Sequence, residues 1–369
     1  MKITRSTKIF AAASALVLSL AACGNSASDD KQNEKNQGDA QNTSSLSGTI
    51  NGSGATSQQK AQQAWRDNFS QQNPDVVINY DATGSGTGRE QFIAGKVAFA
   101  GTDSLLKDAE IKSATERCGS EPLELPLYIS PIAVAFNLPG IEHLNLSGEV
   151  IAKIFDGKIT KWNDAAIADL NKDAKLPDLD IVPVNRADDS GTSKNFQQYL
   201  VAGSNGNWNY EPEDKWPISG TQSAEGTSGV VTLVKSTEGA VTYADASQID
   251  GLGSAAVEVA GEFLPYSPEA AAAIVDGSQP KENATDRLLA YDLKRDGSIK
   301  GAYPIVMVSY LVACTDYADA NDAKIVKSYL NYIASSEGQE VATKAKGGNA
   351  PISDNLRAKV TTAIDLIQG

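Results

Sequence analysis

The residues with the clearest chemical potential lie in one turn. Arg186 offers a planar guanidinium that stays protonated, and Ser190, Gly191 and Thr192 follow it closely. Apolar residues recur at helical spacing over 196–200, so the turn is predicted to open a helix. The first N–H groups of a helix have no intrahelical acceptor and lie at the positive end of its dipole. With the hydroxyls and the guanidinium, they would hold a small anion.

Two more glycine-hydroxyl turns stand next to predicted helices. Residues 52–57, Gly-Ser-Gly-Ala-Thr-Ser, precede a helical pattern over 61–69. Residues 83–88, Thr-Gly-Ser-Gly-Thr-Gly, follow a strand-like run over 76–80 and precede Phe-Ile. One such turn alone is commonly just an N-cap. Three of them, with one arginine, favour a shared ligand.

The first 22 residues are typical of a bacterial signal peptide. Three cations within the first eight residues precede an apolar stretch over 9–22, and Leu-Ala-Ala-Cys at 20–23 has the form of a lipobox. We expect cleavage before Cys23 and lipid attachment to its sulfur. A transmembrane anchor is the alternative, but the apolar stretch is short for spanning. Residues 24–46, rich in Asn, Gln, Ser and Asp, are predicted to form a disordered tether, so the domain sits outside the cytoplasmic membrane.

Composition limits the possible partners. The chain has 46 acidic and 32 basic residues and a formal net charge of −14, which argues against nucleic-acid binding. Net charge does not exclude an anionic ligand, because fixed donors at short range matter more in a closed, dry site. The only histidine, His143, stands in a loop-like context and is predicted to lie at the surface. We therefore expect no metal site and no cofactor.

Two cysteines remain besides Cys23. Cys118 and Cys314 form an even pair in an oxidising exterior, which favours a disulfide. Two free buried thiols are the alternative.

The rest of the pattern indicates an α/β fold with largely buried strands. Apolar runs at 131–136, 181–184 and 305–308 alternate with helical stretches, and the last clear helix carries apolar residues on one face over 325–333.

About 320 residues follow the tether, enough for two domains. No linker divides them cleanly, so the chain is predicted to cross between two lobes more than once. The extended runs at 125–129 and 301–305 are the best crossover candidates.

Several motifs, in order, resemble one known family. Over roughly residues 47–369 the chain is similar to the phosphate-binding protein of the bacterial high-affinity phosphate ABC transporter, in its actinobacterial lipoprotein form. The motifs that carry the resemblance are Gly52-Ser-Gly-Ala-Thr56, Gly84-Ser-Gly86, Phe99-Ala-Gly-Thr-Asp103, Gly157-Lys-Ile-Thr-Lys-Trp-Asn-Asp-Ala-Ala-Ile167, Arg186-Ala-Asp-Asp-Ser-Gly-Thr192 and Gly239-Ala-Val-Thr-Tyr243.

The resemblance implies a type II periplasmic-binding-protein fold, in which two α/β lobes joined by two crossovers close on phosphate. We expect residues 47–128 and 303–369 to form lobe I and residues 129–302 to form lobe II. The implied function is capture of inorganic phosphate and its delivery to the membrane permease subunits of an ABC importer. The protein would act without catalysis, as a monomer anchored by its lipid.

The resemblance also implies the ligand set. Thr56 and Ser57 would donate at the first turn, and relatives often have an aromatic residue where Ser57 stands, so its N–H is the expected donor. From its position in the sequence, Asp188, two residues after Arg186, is better placed to orient the guanidinium than to bind the ligand. The full implied set is Thr56, Ser57, Ser85, Asp103, Arg186, Ser190, Gly191 and Thr192.

Asp103 offers a route to selectivity. A carboxylate facing an anion is costly unless it accepts a proton from the ligand. Hydrogen phosphate and dihydrogen phosphate carry an O–H group, whereas sulfate at neutral pH carries none, so Asp103 would favour phosphate. The alternative for Asp103 is that it caps a helix over 104–107.

Two other functions stay open. One is a receptor for another tetrahedral oxyanion such as sulfate. The other is an exported phosphate-ester hydrolase, which would need a metal cluster or an activated nucleophile that a chain with one histidine does not readily supply.

Overall fold

Two strands built largely from apolar residues lie at the centre of the sheet. In the computed structural model, which describes residues 46–347 and 349–368, strands β4 (Leu123–Phe136) and β13 (Val306–Ala313) are buried along their whole length. Full burial is typical of strands covered on both faces. The predicted apolar strands at 131–136 and 305–308 coincide with these two, apart from one residue at the start of β13.

The signal peptide predicted over 1–22, Cys23 and the tether up to residue 45 lie outside the described residues. No helix in the described part of the chain has the length and apolar character needed to cross a membrane.

Eleven further strands occur among the described residues. They are β1 (Gly48–Gly54), β2 (Val76–Asp81), β3 (Phe99–Thr102), β5 (His143–Leu146), β6 (Val182–Arg186), β7 (Gln222–Ala224), β8 (Ala240–Asp245), β9 (Gly253–Val259), β10 (Glu262–Leu264), β11 (Gln279–Pro280) and β12 (Tyr291–Asp292).

The helices alternate with these strands, as expected for an α/β chain. They are α1 (Gln59–Gln72), α2 (Ser85–Ile93), α3 (Asp108–Cys118), α4 (Gly148–Phe155), α5 (Ala165–Ala168), α6 (Gly191–Gly203), α7 (Gly226–Ser236), α8 (Pro268–Asp276), α9 (Ala320–Ala334), α10 (Ser336–Ala342) and α11 (Asp354–Asp365), with a short 3₁₀ helix (Ala246–Gln248) and a π-helical turn (Thr343–Gly347).

One strand links the two halves of the main sheet. The strand order is β2-β1-β3-β13-β4-β8-β6-β7, and β9 joins β4 with β5 and β10 at the side. Strand β4 pairs antiparallel with β13 up to Pro131 and antiparallel with β8 from Ile132 onward. The chain thus changes neighbours in the middle of a single strand, within a few residues of the predicted crossover at 125–129.

Apolar helix faces pack into the hydrophobic core. In α9, the apolar residues predicted to share one face are all buried, because they recur at helical spacing. Helix α1 buries Ala61, Trp65 and Phe69 in the same way. Phe69 packs edge-on against Tyr329 of α9 with ring centroids 5.3 Å apart. The α/β class is therefore confirmed, whereas the lobe boundaries stay a prediction.

The predicted disulfide is present. Cys118, the last residue of α3, is bonded to Cys314, which follows β13, with a Cα–Cα distance of 5.3 Å. Both cysteines are buried against Phe92, Val97 and Val312. Of the two alternatives, the bridge is therefore correct.

Candidate functional site

Three helix starts meet where parallel strands end. Strand β1 runs into the turn at 55–58 before α1, β2 leads to α2, and β6 leads to α6. Because β1, β2 and β3 are parallel, and β6 is parallel to β8, their carboxyl ends collect at edges of the sheet. Ligand sites of open α/β sheets lie outside such carboxyl ends, where the strand order changes direction.

Asp103 connects these helix starts through its carboxylate and its backbone N–H. It follows β3, is 4% exposed, and accepts hydrogen bonds from Ser57 Oγ (2.7 Å) and Thr192 Oγ1 (2.9 Å). The Asp103 N–H donates to Ser85 Oγ at 3.1 Å. One residue therefore contacts the start of α1, the start of α2 and the start of α6.

A fourth hydroxyl reaches Asp103 from the central strand. Ser309 Oγ of β13 donates to Asp103 Oδ1 at 2.6 Å and itself accepts from Gln58 Nε2 at 2.6 Å. An ionised carboxylate has about four lone-pair positions. Oδ1 accepts two of these hydrogen bonds and Oδ2 accepts one, which leaves room at Oδ2 for one further O–H donor.

Burial favours the protonated form of the Asp103 carboxyl. It raises the pKa of Asp103, and the hydrogen bonds from Ser309, Ser57 and Thr192 and the charge of Arg186 oppose that rise only in part. The helix-cap alternative for Asp103 is wrong, because residues 104–107 are not helical and α3 begins at Asp108.

Arg186 ends β6 with its side chain 3% exposed. Its Nε donates to Asp188 Oδ1 at 2.7 Å, and its Nη2 donates to Asp188 Oδ2. Burial works against ionisation of Asp188, but the hydrogen bonds and charge of Arg186 outweigh it and lower the pKa of this carboxyl. Among the described residues Arg186 Nη1 has no hydrogen-bond partner. The guanidinium is thus held in a fixed orientation with one nitrogen unused.

The start of α6 supplies unpaired backbone donors. Ser190 is the N-cap, with its Oγ accepting from Ser193 N at 3.3 Å. The N–H groups of Gly191 and Thr192 have no acceptor within residues 46–347 and 349–368, and the same holds for Ser57 N–H at the start of α1. A buried N–H without a partner is costly, so these groups are suited to an anionic ligand.

Thr56 faces a fourth helix start that sequence reasoning missed. Its Oγ1 accepts from Thr227 N at 3.1 Å and lies 2.9 Å from Thr227 Oγ1, in the first turn of α7. The preceding Gly226 N donates to Asp188 Oδ1 at 3.1 Å. The sequence Gly-Thr-Ser at 226–228 is the same kind of turn as the three that were recognised, so a signal was available.

Ser309 and Gln248 were also missed, and neither had a sequence signal. Ser309 is a lone hydroxyl within an apolar strand. Gln248 Nε2 donates to the carbonyl oxygens of Thr56 (2.9 Å) and Ser57 (3.1 Å) across 192 and 191 residues of sequence. Only the folded chain brings these groups together.

The structure thus brings seven of the eight predicted ligand residues into one connected cluster around Asp103 and Arg186. The eighth residue, Thr56, is joined to this cluster through Thr227 and Gly226. By contrast, the Asp189 side chain is 44% exposed, and His143 is exposed at the start of β5. No cluster of three or more potential metal-ligating His, Cys, Asp or Glu side chains occurs in the described part of the chain.

Comparison with known proteins places the chain in a family. Residues 39–337 match the PBP superfamily domain. The phosphate-binding protein PstS 3 of Mycobacterium tuberculosis is 34% identical over 364 residues, which cover 96% of each chain. The phosphate-binding protein PstS2 of Mycobacterium bovis is 32% identical over 324 residues, covering 86% of this chain and 87% of that protein.

Solved structures share the fold. A high affinity periplasmic phosphate-binding protein (PfluDING), solved with phosphate, superposes with a TM-score of 0.69 at 20% identity over 85% of this chain and 93% of that one. A substrate-binding protein of a phosphate ABC transporter from Clostridium perfringens has a TM-score of 0.58 at 22% identity, covering 81% and 98%. The type II periplasmic-binding-protein fold is therefore confirmed, and the chain belongs to the PstS phosphate-binding proteins of the PBP superfamily.

Proposed function

We propose that this protein captures inorganic phosphate outside the cytoplasm and delivers it to an ABC importer. The relatives that match nearly the whole chain are phosphate-binding proteins, and this protein belongs to their family. It is a binding protein and not an enzyme.

One observation carries the proposal. The Asp103 carboxylate is buried, accepts hydrogen bonds from the starts of α1 and α6, and lies near a fixed arginine, while the Asp103 N–H contacts the start of α2. A site built only to attract anions would not contain a carboxylate, because its charge repels the ligand. A ligand that is anionic and also carries an O–H group satisfies both the cationic donors and the carboxylate.

Each predicted ligand has a role in this proposal. Arg186 Nη1 and the N–H groups of Ser57, Gly191 and Thr192 would bind the oxygens of phosphate. The remaining lone pair at Asp103 Oδ2 would accept the phosphate proton. The hydroxyls of Ser57 and Thr192, which now donate to Asp103, would turn toward the ligand. The Ser85 hydroxyl, which accepts from the Asp103 N–H, and the Thr56 hydroxyl, which is paired with Thr227, would donate to it as well. Ser190 would act as the helix cap.

The lobe division is part of the proposal. Residues 47–128 with 303–369, and residues 129–302, would close on phosphate by bending where β4 changes neighbours at Pro131 and where the chain returns into β13. One hydrogen bond joins residues on the two sides of the proposed lobe boundary. Glu124 N donates to Arg287 O at 2.8 Å, so part of the predicted lobe II chain packs against the start of β4.

Membrane attachment is proposed through Cys23. A lipid on its sulfur would hold the monomeric domain at the outer face of the cytoplasmic membrane. Cys23→Ala should release the protein into the medium or leave its precursor uncleaved. A variant that is cleaved and still sediments with membranes would contradict this anchor.

Calorimetric titration tests the proposed ligand. Phosphate-stripped protein is titrated with phosphate and, separately, with sulfate at fixed pH and ionic strength, and hydrolysis of p-nitrophenyl phosphate is followed in parallel. We expect tight phosphate binding, sulfate binding weaker by orders of magnitude, and no hydrolysis. Equal or tighter sulfate binding would favour the general oxyanion receptor, and turnover of the ester would favour the hydrolase.

A further inference from the structure

The segment at 213–215 is fixed to the helix that carries the proposed site. The carbonyl oxygens of Glu213 and Lys215 accept from Gln197 Nε2 of α6 at 2.7 and 3.3 Å. The carbonyl oxygen of Asp214 accepts from Ser190 N at 3.0 Å. Any displacement of this segment therefore moves the N-cap of α6.

The Asp214 side chain points to the opposite side, toward α2 and β3. Its Oδ2 lies 2.6 Å from Arg89 Nη2, and its Oδ1 accepts from Ser104 Oγ at 2.6 Å. The Arg89 side chain is 3% exposed and the Asp214 side chain 5%. Arg89 is in turn held by Thr102 Oγ1 and by Glu110 Oε1, each at 3.0 Å.

The ion pair thus joins two parts of the chain that the proposed closure brings together. Arg89, Ser104 and Glu110 lie within residues 47–128, whereas Asp214 lies within 129–302. Opening of the cleft would separate Arg89 from Asp214, and both charges would be hydrated. Attraction between charges is much stronger in a buried environment than in water, and removal of one partner would leave the other charge buried without its counter-charge, so loss of this pair acts mainly on the closed arrangement. Arg89 would keep Glu110 in either arrangement.

We propose that Arg89 and Asp214 form a latch, a buried ion pair that contacts no ligand but holds the closed, phosphate-loaded arrangement and slows phosphate release. The inference rests on the proposed function. The apparent affinity of a ligand falls with the fraction of protein in the binding-competent state. A weaker latch therefore weakens phosphate binding without any change in the ligand contacts, and the change appears mainly in the rate of release.

The test uses Asp214→Asn in the full chain. This variant removes the charge while it keeps the side-chain shape and the backbone acceptor for Ser190 N. We expect phosphate release at least about tenfold faster and affinity weaker by a similar factor, since truncation of a buried charge pair acts chiefly on dissociation. The matched control is Lys107→Met. Lys107 and Glu213 join the same two parts of the chain at 3.5 Å but are half-exposed, so release should change by less than about twofold.

A structural role can be separated from a latch by urea unfolding. A latch predicts that Asp214→Asn destabilises the protein more in saturating phosphate than in its absence, whereas a merely structural pair predicts equal losses. Arg89→Lys, which keeps a cation, should give an intermediate release rate and serves if the first variant folds poorly. Unchanged release in both variants, or equal destabilisation with and without phosphate, would overturn the latch. Failure of the unaltered protein to bind phosphate would instead overturn the proposed function.

Discussion

Two side chains of opposite charge, Arg186 and Asp103, define the site at the scale of single residues. Arg186 is oriented by Asp188, and Asp103 collects hydroxyls from three elements. Their combination explains how one cleft can attract an anion and still select among anions. We therefore expect substitution of Arg186 to lower the affinity for phosphate and substitution of Asp103 to change the selectivity between anions.

Arg186→Ala should weaken phosphate binding by about 3–5 kcal/mol. The ligand would lose a buried charged partner, and Asp188 would be left without its counter-charge. Arg186→Lys should recover only part of the loss, because an ammonium cannot bind Asp188 with two nitrogens and reach the ligand with a third. Titration calorimetry measures both, with the exposed Lys215→Ala as control. Unchanged affinity in Arg186→Ala would remove this residue from the site.

Asp103→Asn should reduce the ratio of phosphate affinity to sulfate affinity. The variant keeps size and some hydrogen bonding but removes the negative charge that would repel sulfate. Phosphate itself should lose little, since the lost acceptor is offset by relief of charge repulsion. Competition binding at one pH and ionic strength gives the ratio for both proteins. A ratio equal to that of the unaltered protein would place selectivity elsewhere in the cleft.

What the sequence reveals at this scale depends on how local the signal is. The turn at 186–192 and the start of α2 are recognisable because glycine, hydroxyls and the following helical pattern stand together in the chain. Ser309 and Gln248 carry no such signal, because their partners lie about 190 or more residues away. The environment of Asp103 could be inferred from the family resemblance. The alternative that Asp103 caps a helix could be excluded only with the structure.

At the scale of elements, the approach of α6 to the end of β3 determines the site geometry. A Cβ atom built on Gly191 would lie 2.7 Å from Ser104 N and 2.8 Å from the Asp103 carbonyl carbon. Contacts this short with backbone atoms cannot be relieved by a side-chain rotation. Glycine is therefore required here by close packing, and its φ angle is not the reason.

Gly191→Ala should push α6 away from Asp103 and weaken phosphate binding by at least about tenfold, because small displacements of positioned groups are costly. The control is Gly119→Ala, at a C-cap where no atom beyond Gly119 and its chain neighbours lies within 4 Å of the added Cβ. That control should lose some stability through its positive φ but keep its affinity. Full affinity in Gly191→Ala would show that the α6 start does not contact the ligand.

The start of β4 contains a buried carboxyl that should make folding pH-dependent. Burial raises the pKa of Glu124 to about 8, although Leu106 N–H donates to it at 2.7 Å. The folded chain then holds this proton more tightly than the unfolded chain, so stability falls as pH rises from about 4.5 through 8.

Glu124→Gln should flatten that part of the pH dependence. Between pH 5.5 and pH 8.5 the variant should lose less unfolding free energy than the unaltered protein, by about 1 kcal/mol or more. Urea unfolding at the two pH values gives the comparison, and exposed Glu90→Gln serves as control. Identical pH profiles for Glu124→Gln and the unaltered protein would contradict this assignment.

For the molecule as a whole, a long covalent loop and a shared strand hold the fold together. The bridge from Cys118 to Cys314 encloses the entire proposed lobe II, with 196 residues of separation. The α/β class, the buried strands and the existence of the bridge could be predicted from apolar runs and cysteine parity. The change of neighbours within β4 could not be predicted, and neither could the packing of the 213–215 segment. Both depend on which distant strands and helices pack together.

The double variant Cys118→Ser, Cys314→Ser should lose about 3–5 kcal/mol of unfolding free energy, since a long loop is released in the unfolded chain. Phosphate affinity should change by less than about threefold, because the hydrophobic cluster that packs around both cysteines contains none of the proposed ligand residues. Urea unfolding and titration provide the two readouts. A large loss of affinity with little loss of stability would mean that the bridge shapes the cleft directly.

In the proposed complex, phosphate binds between Asp103, Arg186 and the start of α6. A crystal structure of the protein with phosphate would show these contacts. We expect one phosphate oxygen within about 2.7 Å of Asp103 Oδ2, as in a charge-assisted O–H···O bond, and others within hydrogen-bond distance of Arg186 Nη1 and the N–H groups of Gly191 and Thr192. Phosphate bound elsewhere, or a ligand with no contact to Asp103 and Arg186, would contradict the claim.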